Sequence, residues 1–199
     1  MKERPNWLFA RNADIDLILH SLGTLPPPQE RPALVVIAGL PATGKSQFSR
    51  DLTRRTPAVI LVSDVLRRLL FERPTYSWQE SRRLFAAIHA TAKRLLESGV
   101  SCVVDATNLV EVHRQPLYDI ARRTGAKLIV VEVTAPTEVA LKRLSERVAA
   151  GDSASEADAA VYNRMLGEWE AIEREHHVVD TSKPTGRLSA AIAREMKDE

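Results

Sequence analysis

The chain has 199 residues, 44% hydrophobic and 27% charged, with 28 Lys and Arg against 26 Asp and Glu. This composition excludes a disordered chain, a collagen and a coiled coil, and a net charge of +2 carries no bulk mark of a nucleic-acid binder. One cysteine, Cys102, excludes an internal disulfide and a multi-cysteine zinc site.

Residues 3–22 read as a short helix with Trp7, Leu8, Leu17, Ile18 and Leu22 as its apolar content. The N-terminus shows no uncharged signal core and no apolar run approaches the ~20 residues that cross a bilayer, so a cytoplasmic protein without a membrane partner is expected. The stiff, Pro-rich stretch LPPPQERP follows. Residues 1–30 are therefore expected to be a helical extension and linker on a domain spanning 31–199. Apolar runs at 33–38, 58–62, 101–105, 127–133 and 177–180 are hydrophobic throughout instead of alternating, the mark of fully buried parallel strands. Helical patterns lie between and after them at 45–54, 79–97, 112–123, 138–148, 156–173 and 188–196, with Pro116 expected in the first turn of the third or at a kink. Such alternation predicts right-handed βαβ units: a three-layer α/β/α fold around a five-stranded parallel sheet.

The first strand runs into GLPATGKS, residues 39–46, and then a helix. This is G-x-x-x-x-G-K-[ST], the phosphate loop of P-loop NTPases, in its confirming strand–loop–helix context. Glycines let successive N–H groups turn inward as an anion nest, and the helix adds its N-terminal dipole. Gly39, Pro41, Ala42, Thr43, Gly44, Lys45, Ser46 and Gln47 are the expected nucleotide-binding residues. Lys45 is expected on the β- and γ-phosphates and Ser46 on Mg²⁺. No guanine-reading N-K-x-D motif is present, which favours ATP, with the adenine expected near 181–185 and part of the lid.

After the second strand, SDVLRRLL sets Asp64 at the ligand-binding edge of the sheet, with Arg67 three residues on along the same helix face. Asp64 can deprotonate an acceptor hydroxyl while Arg67 grips an anionic group beside it; alternatively Ser63 or Asp64 caps the helix and Arg67 lies on the surface. The third strand ends in Asp105, a candidate carboxylate of the outer Mg²⁺ shell, before Asn108 and Glu111, which have capping-box spacing. His113 and Arg114 just beyond this edge are further candidates for substrate contact, and Tyr76-Ser77-Trp78 for an acceptor wall. Arg143 and Arg147 share a helix face ahead of the small, polar GDSASEAD. They read either as lid arginines over a transferring phosphate, with the lid around 143–157, or as an exposed salt-bridge helix.

Taken in order, GLPATGKS, SDVLR, DATN and KRLSER resemble the P-loop kinases of the polynucleotide 5′-kinase and zeta-toxin-like group, including its small bacterial AAA-type kinases. The resemblance covers about residues 33–180. It implies Asp64 as general base, Arg67 on a substrate phosphate, Asp105 holding that arginine, Arg147 as the lid arginine and Arg143 as another arginine of the same stretch. The chain reads Asp105-Ala106-Thr107-Asn108 where polynucleotide kinases often read D-T-N, and it lacks the strong positive charge of many nucleic-acid enzymes. The expected function is Mg²⁺/ATP-dependent transfer of the γ-phosphate to a hydroxyl, on a small molecule in preference to a nucleic-acid 5′-end. The alternative is an ATP-binding or ATPase switch acting on a protein partner.

Overall fold

The structure, a computed structural model, describes residues 10–149 and 158–197. Trp7 and Leu8 of the expected first helix, and residues 150–157 of the expected lid, lie outside the described residues. In chain order the elements are α1 (Asn12–Ser21), β1 (Ala33–Ala38), α2 (Lys45–Thr53), β2 (Val59–Val62), α3 (Ser63–Leu70), α4 (Trp78–Glu97), β3 (Cys102–Asp105), α5 (Glu111–Thr124), β4 (Lys127–Thr134), α6 (Thr137–Ala149), α7 (Ala159–Glu168), β5 (His177–Asp180) and α8 (Gly186–Glu195).

The five strands are all parallel and lie in the order β2-β3-β1-β4-β5. Val35 of β1 stands between Val103 of β3 and Ile129 of β4. All six residues of β1 are buried. Alternate β1 side chains feed two cores, as the two-residue period of a strand demands. Leu34, Val36 and Ala38 pack with Leu84, Ile88 and Leu95 of α4 and with Leu117 and Ile120 of α5. Ala33, Val35 and Ile37 pack with Phe48 and Leu52 of α2 and with Ile192 of α8. The result is the expected three-layer α/β/α sandwich.

At the N-terminus, Ile18 of α1 enters the first of these cores. Arg83 of α4 grips the Asp14 carboxylate through two hydrogen bonds, 2.8 and 2.6 Å. Downstream, the Gln29 N–H donates to the Gly99 carbonyl at 2.7 Å. A Cβ on Gly99 would stand 2.9 Å from the Gln29 carbonyl oxygen, so the left-handed glycine here also makes room for the crossing chain.

Three local expectations are corrected. The capping-box reading of Asn108 and Glu111 does not hold, because α5 starts after Val110 without a side-chain cap. Asn108 instead adopts a left-handed backbone, φ +45°, and donates Nδ2–H to the Ile37 carbonyl at 2.7 Å, tying the end of β3 to the end of β1. The helix expected over 156–173 is α7 alone, stopping at Glu168 one residue after Gly167, a poor helix former. Ile172 beyond it turns into the core. Pro116 lies in the second turn of α5, not the first.

Arg114 is a further correction, and this one bears on function. Its side chain is 0% exposed and so is not a substrate contact. It donates to the carbonyls of Asn108, Leu109 and Ala171 at 3.1–3.2 Å and to Glu111 at 3.0 Å, joining the loop after β3 to the segment after α7. Arg114→Leu is expected to lower stability by about 3 kcal/mol or more, since each buried carbonyl deprived of its donor costs ~1–3 kcal/mol. The urea midpoint measures it, and a shift of a few tenths of a kcal/mol would mean that the staple is dispensable.

Candidate functional site

Glycine chemistry shapes the loop between β1 and α2. Gly39 has φ +151°, Ala42 +58° and Gly44 +92°, so the backbone reverses its handedness repeatedly, as an anion nest requires. Around Gly39 the fit is closed: a Cβ there would stand 2.3 Å from the Val133 carbonyl oxygen of β4. The Gly39 N–H donates to the Thr107 carbonyl at 3.0 Å. At the crest, the Leu40 carbonyl accepts from Thr43 Oγ1 at 2.9 Å and from Lys45 Nζ at 2.7 Å. Gly44 is the left-handed residue before α2, so Lys45 and Ser46 open that helix.

The loop is also braced from outside. Thr181, just beyond β5, donates Oγ1–H to the Thr43 carbonyl at 2.6 Å. Arg143 of α6 donates to the Ala42 carbonyl at 3.3 Å, to Thr181 Oγ1 at 2.9 Å and to the Thr181 carbonyl at 3.0 Å. Arg143 thus holds the crest of the loop, and Ala42 in its left-handed conformation with it. A cavity of about 570 Å³ lies on this side, bordered by Gly44, Gln47, Arg143, Arg147, Lys183 and Thr185. Gln47 itself is exposed and hydrogen-bonds Asp51 at 3.0 Å.

A larger cavity of about 950 Å³ opens on the other side of the loop, with Pro41, Lys45, Ser46, Asp64, Asp105 and Arg147 at its phosphate-loop end. Register explains the convergence. Asp105 ends β3 opposite Ile37 of β1 and Val62 of β2, so it sits between the phosphate loop and the start of α3. Asp64 is the second residue of α3, which follows Val62 without a loop and without a side-chain cap; the capping alternative for Ser63 and Asp64 is not realised.

These groups feel one another. Burial lowers the Lys45 ammonium below its usual 10.5, against the pull of Asp105 and Asp64, with Arg147 lowering it further. Burial raises the Asp64 carboxyl above its usual 3.8, opposed by Lys45 and Arg67, while Asp105 pushes it up. A carboxylate made more basic is better suited to accept a proton. Asp105 is 2% exposed, and its Oδ2 has no hydrogen-bond partner among the described residues. That orphaned buried oxygen and the Ser46 hydroxyl fit a magnesium ion that takes its remaining ligands from phosphate and water. No group of three or more His, Cys, Asp or Glu among the described residues forms an all-protein metal cage.

Arg67 corrects a further expectation. It is neither a surface residue nor held by Asp105. It is 6% exposed, ion-paired through Nη1 with Glu80 of α4 and hydrogen-bonded through Nη2 to Ser81 at 3.2 Å. Sequence reasoning passed over Glu80, although Ser77-x-x-Glu80 has the capping-box spacing at the head of α4. Burial opposes charge on Glu80, but the Thr75 amide, Arg67 and the Thr75 hydroxyl outweigh it and hold its carboxyl down from 4.5 to about 2.

The far end of the large cavity is aromatic. Tyr76, Trp78, Phe85, His89 and His113 border it, with Arg82 and Arg164. Phe85 and His113 stack, with ring centroids 6.5 Å apart and planes 7° apart, and Arg82 lies 5.4 Å over the Trp78 ring. Burial, aided by the neighbouring His113, depresses the His89 pKa to about 3. Burial and then Arg114 also lower His113, against Glu170. Both rings are therefore neutral at physiological pH. Trp78 stays 69% exposed at the rim. No helix of the described residues is long and apolar enough to cross a membrane.

Comparison with known proteins gives the site its context. The L-seryl-tRNA(Sec) kinase of Methanococcus maripaludis is 29% identical over 116 residues, covering 57% of this chain and 46% of that protein. The chain thus spans about half the length of this relative. Among solved structures, the Mycobacterium tuberculosis APS kinase CysC in complex with AMPPNP and APS superimposes with a TM-score of 0.66 at 17% identity, over 87% of this chain and all of that one. A gluconokinase from Sinorhizobium meliloti 1021 gives 0.60 at 20% identity, over 85% of this chain and 97% of that one. At these identities the structural likeness speaks for the fold, which is that of the P-loop kinases. A family model described as an AAA domain matches residues 34–172, well over half of the sequence, and the chain belongs to that AAA domain family.

Proposed function

We propose that the protein is an Mg²⁺/ATP-dependent phosphotransferase acting on a hydroxyl acceptor. The observation that carries this reading is the meeting of Lys45, Ser46, Asp64, Asp105 and Arg147 at one end of a cavity that continues into a separate aromatic chamber. A nucleotide switch has a use for the first part and none for the second. The relatives named as kinases of seryl-tRNA, of APS and of gluconate support the same chemistry.

In this reading the base of ATP occupies the smaller cavity beside Lys183 and Thr185, and its phosphates the loop. Bound Mg-ATP supplies the phosphoryl group, with Ser46 and Asp105 on the side of the metal. Asp64 takes the proton of the acceptor hydroxyl as that oxygen bonds to the γ-phosphorus. Lys45 and Arg147 balance the negative charge as the bond to the bridging oxygen breaks and ADP leaves. Arg143 serves nucleotide binding by holding the loop in shape. Its three hydrogen bonds are already committed to Ala42 and Thr181, which fits a brace better than a group that reaches the transferring phosphate. Within the P-loop kinases, the ordered motifs favour the polynucleotide 5′-kinase and zeta-toxin-like group. The modest net charge favours a small acceptor over a nucleic-acid end.

The test is transfer of ³²P from γ-labelled ATP to a panel of 5′-hydroxyl DNA and RNA oligonucleotides, nucleosides, UDP-sugars and a metabolite extract, with Asp64→Asn as control. Label on an acceptor that disappears in the variant supports the reading and names the acceptor. Free phosphate alone, unchanged in the variant, favours the switch.

A further inference from the structure

In a Ser-x-x-Glu capping box, the glutamate reaches back to the N–H of the capping serine. At the head of α4, Ser77 does accept from the Glu80 N–H, at 3.4 Å, but the Glu80 carboxylate goes elsewhere. Its Oε2 accepts from the Thr75 N–H at 2.6 Å and from the Thr75 hydroxyl at 2.9 Å. Its Oε1 accepts from the Tyr76 N–H at 3.3 Å and pairs with Arg67. Glu80 is 7% exposed, so these bonds form with little competition from water.

What Glu80 holds is unusual. Tyr76 has φ +53°, a left-handed conformation that a bulky residue keeps only when its surroundings impose it. Its ring lies against the Arg67 guanidinium, 4.6 Å from centroid to Cζ. Arg67, Thr75, Tyr76 and Ser81 all border the large cavity, whereas Glu80 does not. With Nη1 given to Glu80 and Nη2 to Ser81, the Arg67 Nε–H is left buried without a hydrogen-bond partner among the described residues.

We propose that Glu80 is the positioning residue of the acceptor side: from outside the cavity it fixes Arg67 and the Thr75–Tyr76 turn as one rigid wall. The kinetic part of this inference rests on the phosphotransferase reading; the structural part does not. A ligand seated there meets a neutralised arginine edge beside a tyrosine ring, not a free cation. Removing the Glu80 charge leaves a buried guanidinium uncompensated and frees the strained turn. The damage then falls on the acceptor and spares the nucleotide.

Glu80→Gln and Glu80→Asp are compared with the unaltered protein in three measurements. These are Mg-AMPPNP affinity by calorimetry, the ¹⁵N–¹H signal of the Arg67 Nε–H (assigned by its loss in Arg67→Lys), and steady-state transfer to the acceptor labelled in the panel. Glu80→Gln is expected to keep Mg-AMPPNP affinity within about twofold, to shift or broaden the Arg67 signal, and to raise the acceptor KM about tenfold or more with the ATP KM little changed. Glu80→Asp, which keeps the charge, recovers part of that loss. An unmoved Arg67 signal in Glu80→Gln, or nucleotide affinity falling in parallel, overturns the proposal. If the unaltered protein labels no acceptor, the phosphotransferase reading fails, and the Arg67 signal still decides whether Glu80 holds the arginine. Should Glu80→Gln not fold, Thr75→Val removes one donor to the carboxylate. It is expected to move the same acceptor constant by a smaller factor, and no movement there counts against the proposal.

Discussion

Asp64→Asn is expected to reduce phosphoryl transfer by two orders of magnitude or more, while Mg-ADP affinity stays within about twofold, because a positioned general base contributes ~10²–10⁴-fold. Asparagine keeps the size of the side chain at the second position of α3 and loses its negative charge, and with it the capacity to take a proton. The pH profile provides an independent check. Burial raises the Asp64 carboxyl above 3.8, and the base works only when ionised. The rate therefore falls as the pH drops through this raised value, at a higher pH than an exposed aspartate would give. The residual activity of the variant loses that acid limb. An Asn variant that keeps both rate and limb would falsify the assignment of the base.

The second large effect belongs to Gly39→Ala. Two independent constraints meet at this residue, a φ of +151° and a Cβ position 2.3 Å from the Val133 carbonyl oxygen. The contact is with backbone of β4, beside β1 in the centre of the sheet, which cannot move aside as a flexible side chain would. Relief has to come from the phosphate loop itself, so its inward N–H groups lose their common focus. A loss of nucleotide affinity of about a hundredfold or more is expected by calorimetry with Mg-ADP, since misdirecting two or three anion-binding donors at ~1.5–3 kcal/mol each suffices. Gly125→Ala is the control. Its φ is +70° with nothing within 4 Å of the new Cβ, so it costs ~1–2 kcal/mol of backbone strain and leaves the nucleotide alone. Equal effects of the two substitutions on nucleotide affinity would refute the argument from close approach.

What could be read from the residues alone follows from how local each signal is. Strands buried on both faces are apolar at every position, and ALVVIA and LIVV therefore announce β1 and β4 without reference to anything distant. The phosphate loop is contiguous, and so its strand, turn and helix are legible together. Asp105 is legible as the residue that ends β3 and Asp64 as one just past β2, because parallel strands deliver their C-terminal ends to one edge. The partner of Arg67 was not legible. Strand pairing brings Asp105 beside the start of α3, Glu80 lies on the next helix, and only the docking of α4 beside α3 decides for Glu80. Arg114 was misread for the opposite reason: its neighbourhood along the chain is a substrate edge, but the segment after α7 folds over it. Asn108 looked like a cap because spacing records the residue type and not the sign of φ.

The placement of β1 bears on how this protein comes apart. Its amides lie between two hydrogen-bonded neighbours, β3 and β4, and its side chains between two helical layers. They are expected to exchange with heavy water only when the whole sheet opens. The phosphate loop is the direct continuation of that strand. Fraying of α1 leaves the anchor of the loop undisturbed, so nucleotide recognition is expected to outlast it, whereas fraying of β5 releases the Thr181 brace on Thr43 and Arg143. By the same linkage a bound nucleotide stabilises the entire sheet by RT ln(1 + [L]/Kd), and the slowest-exchanging amides of the chain become the reporters of site occupancy.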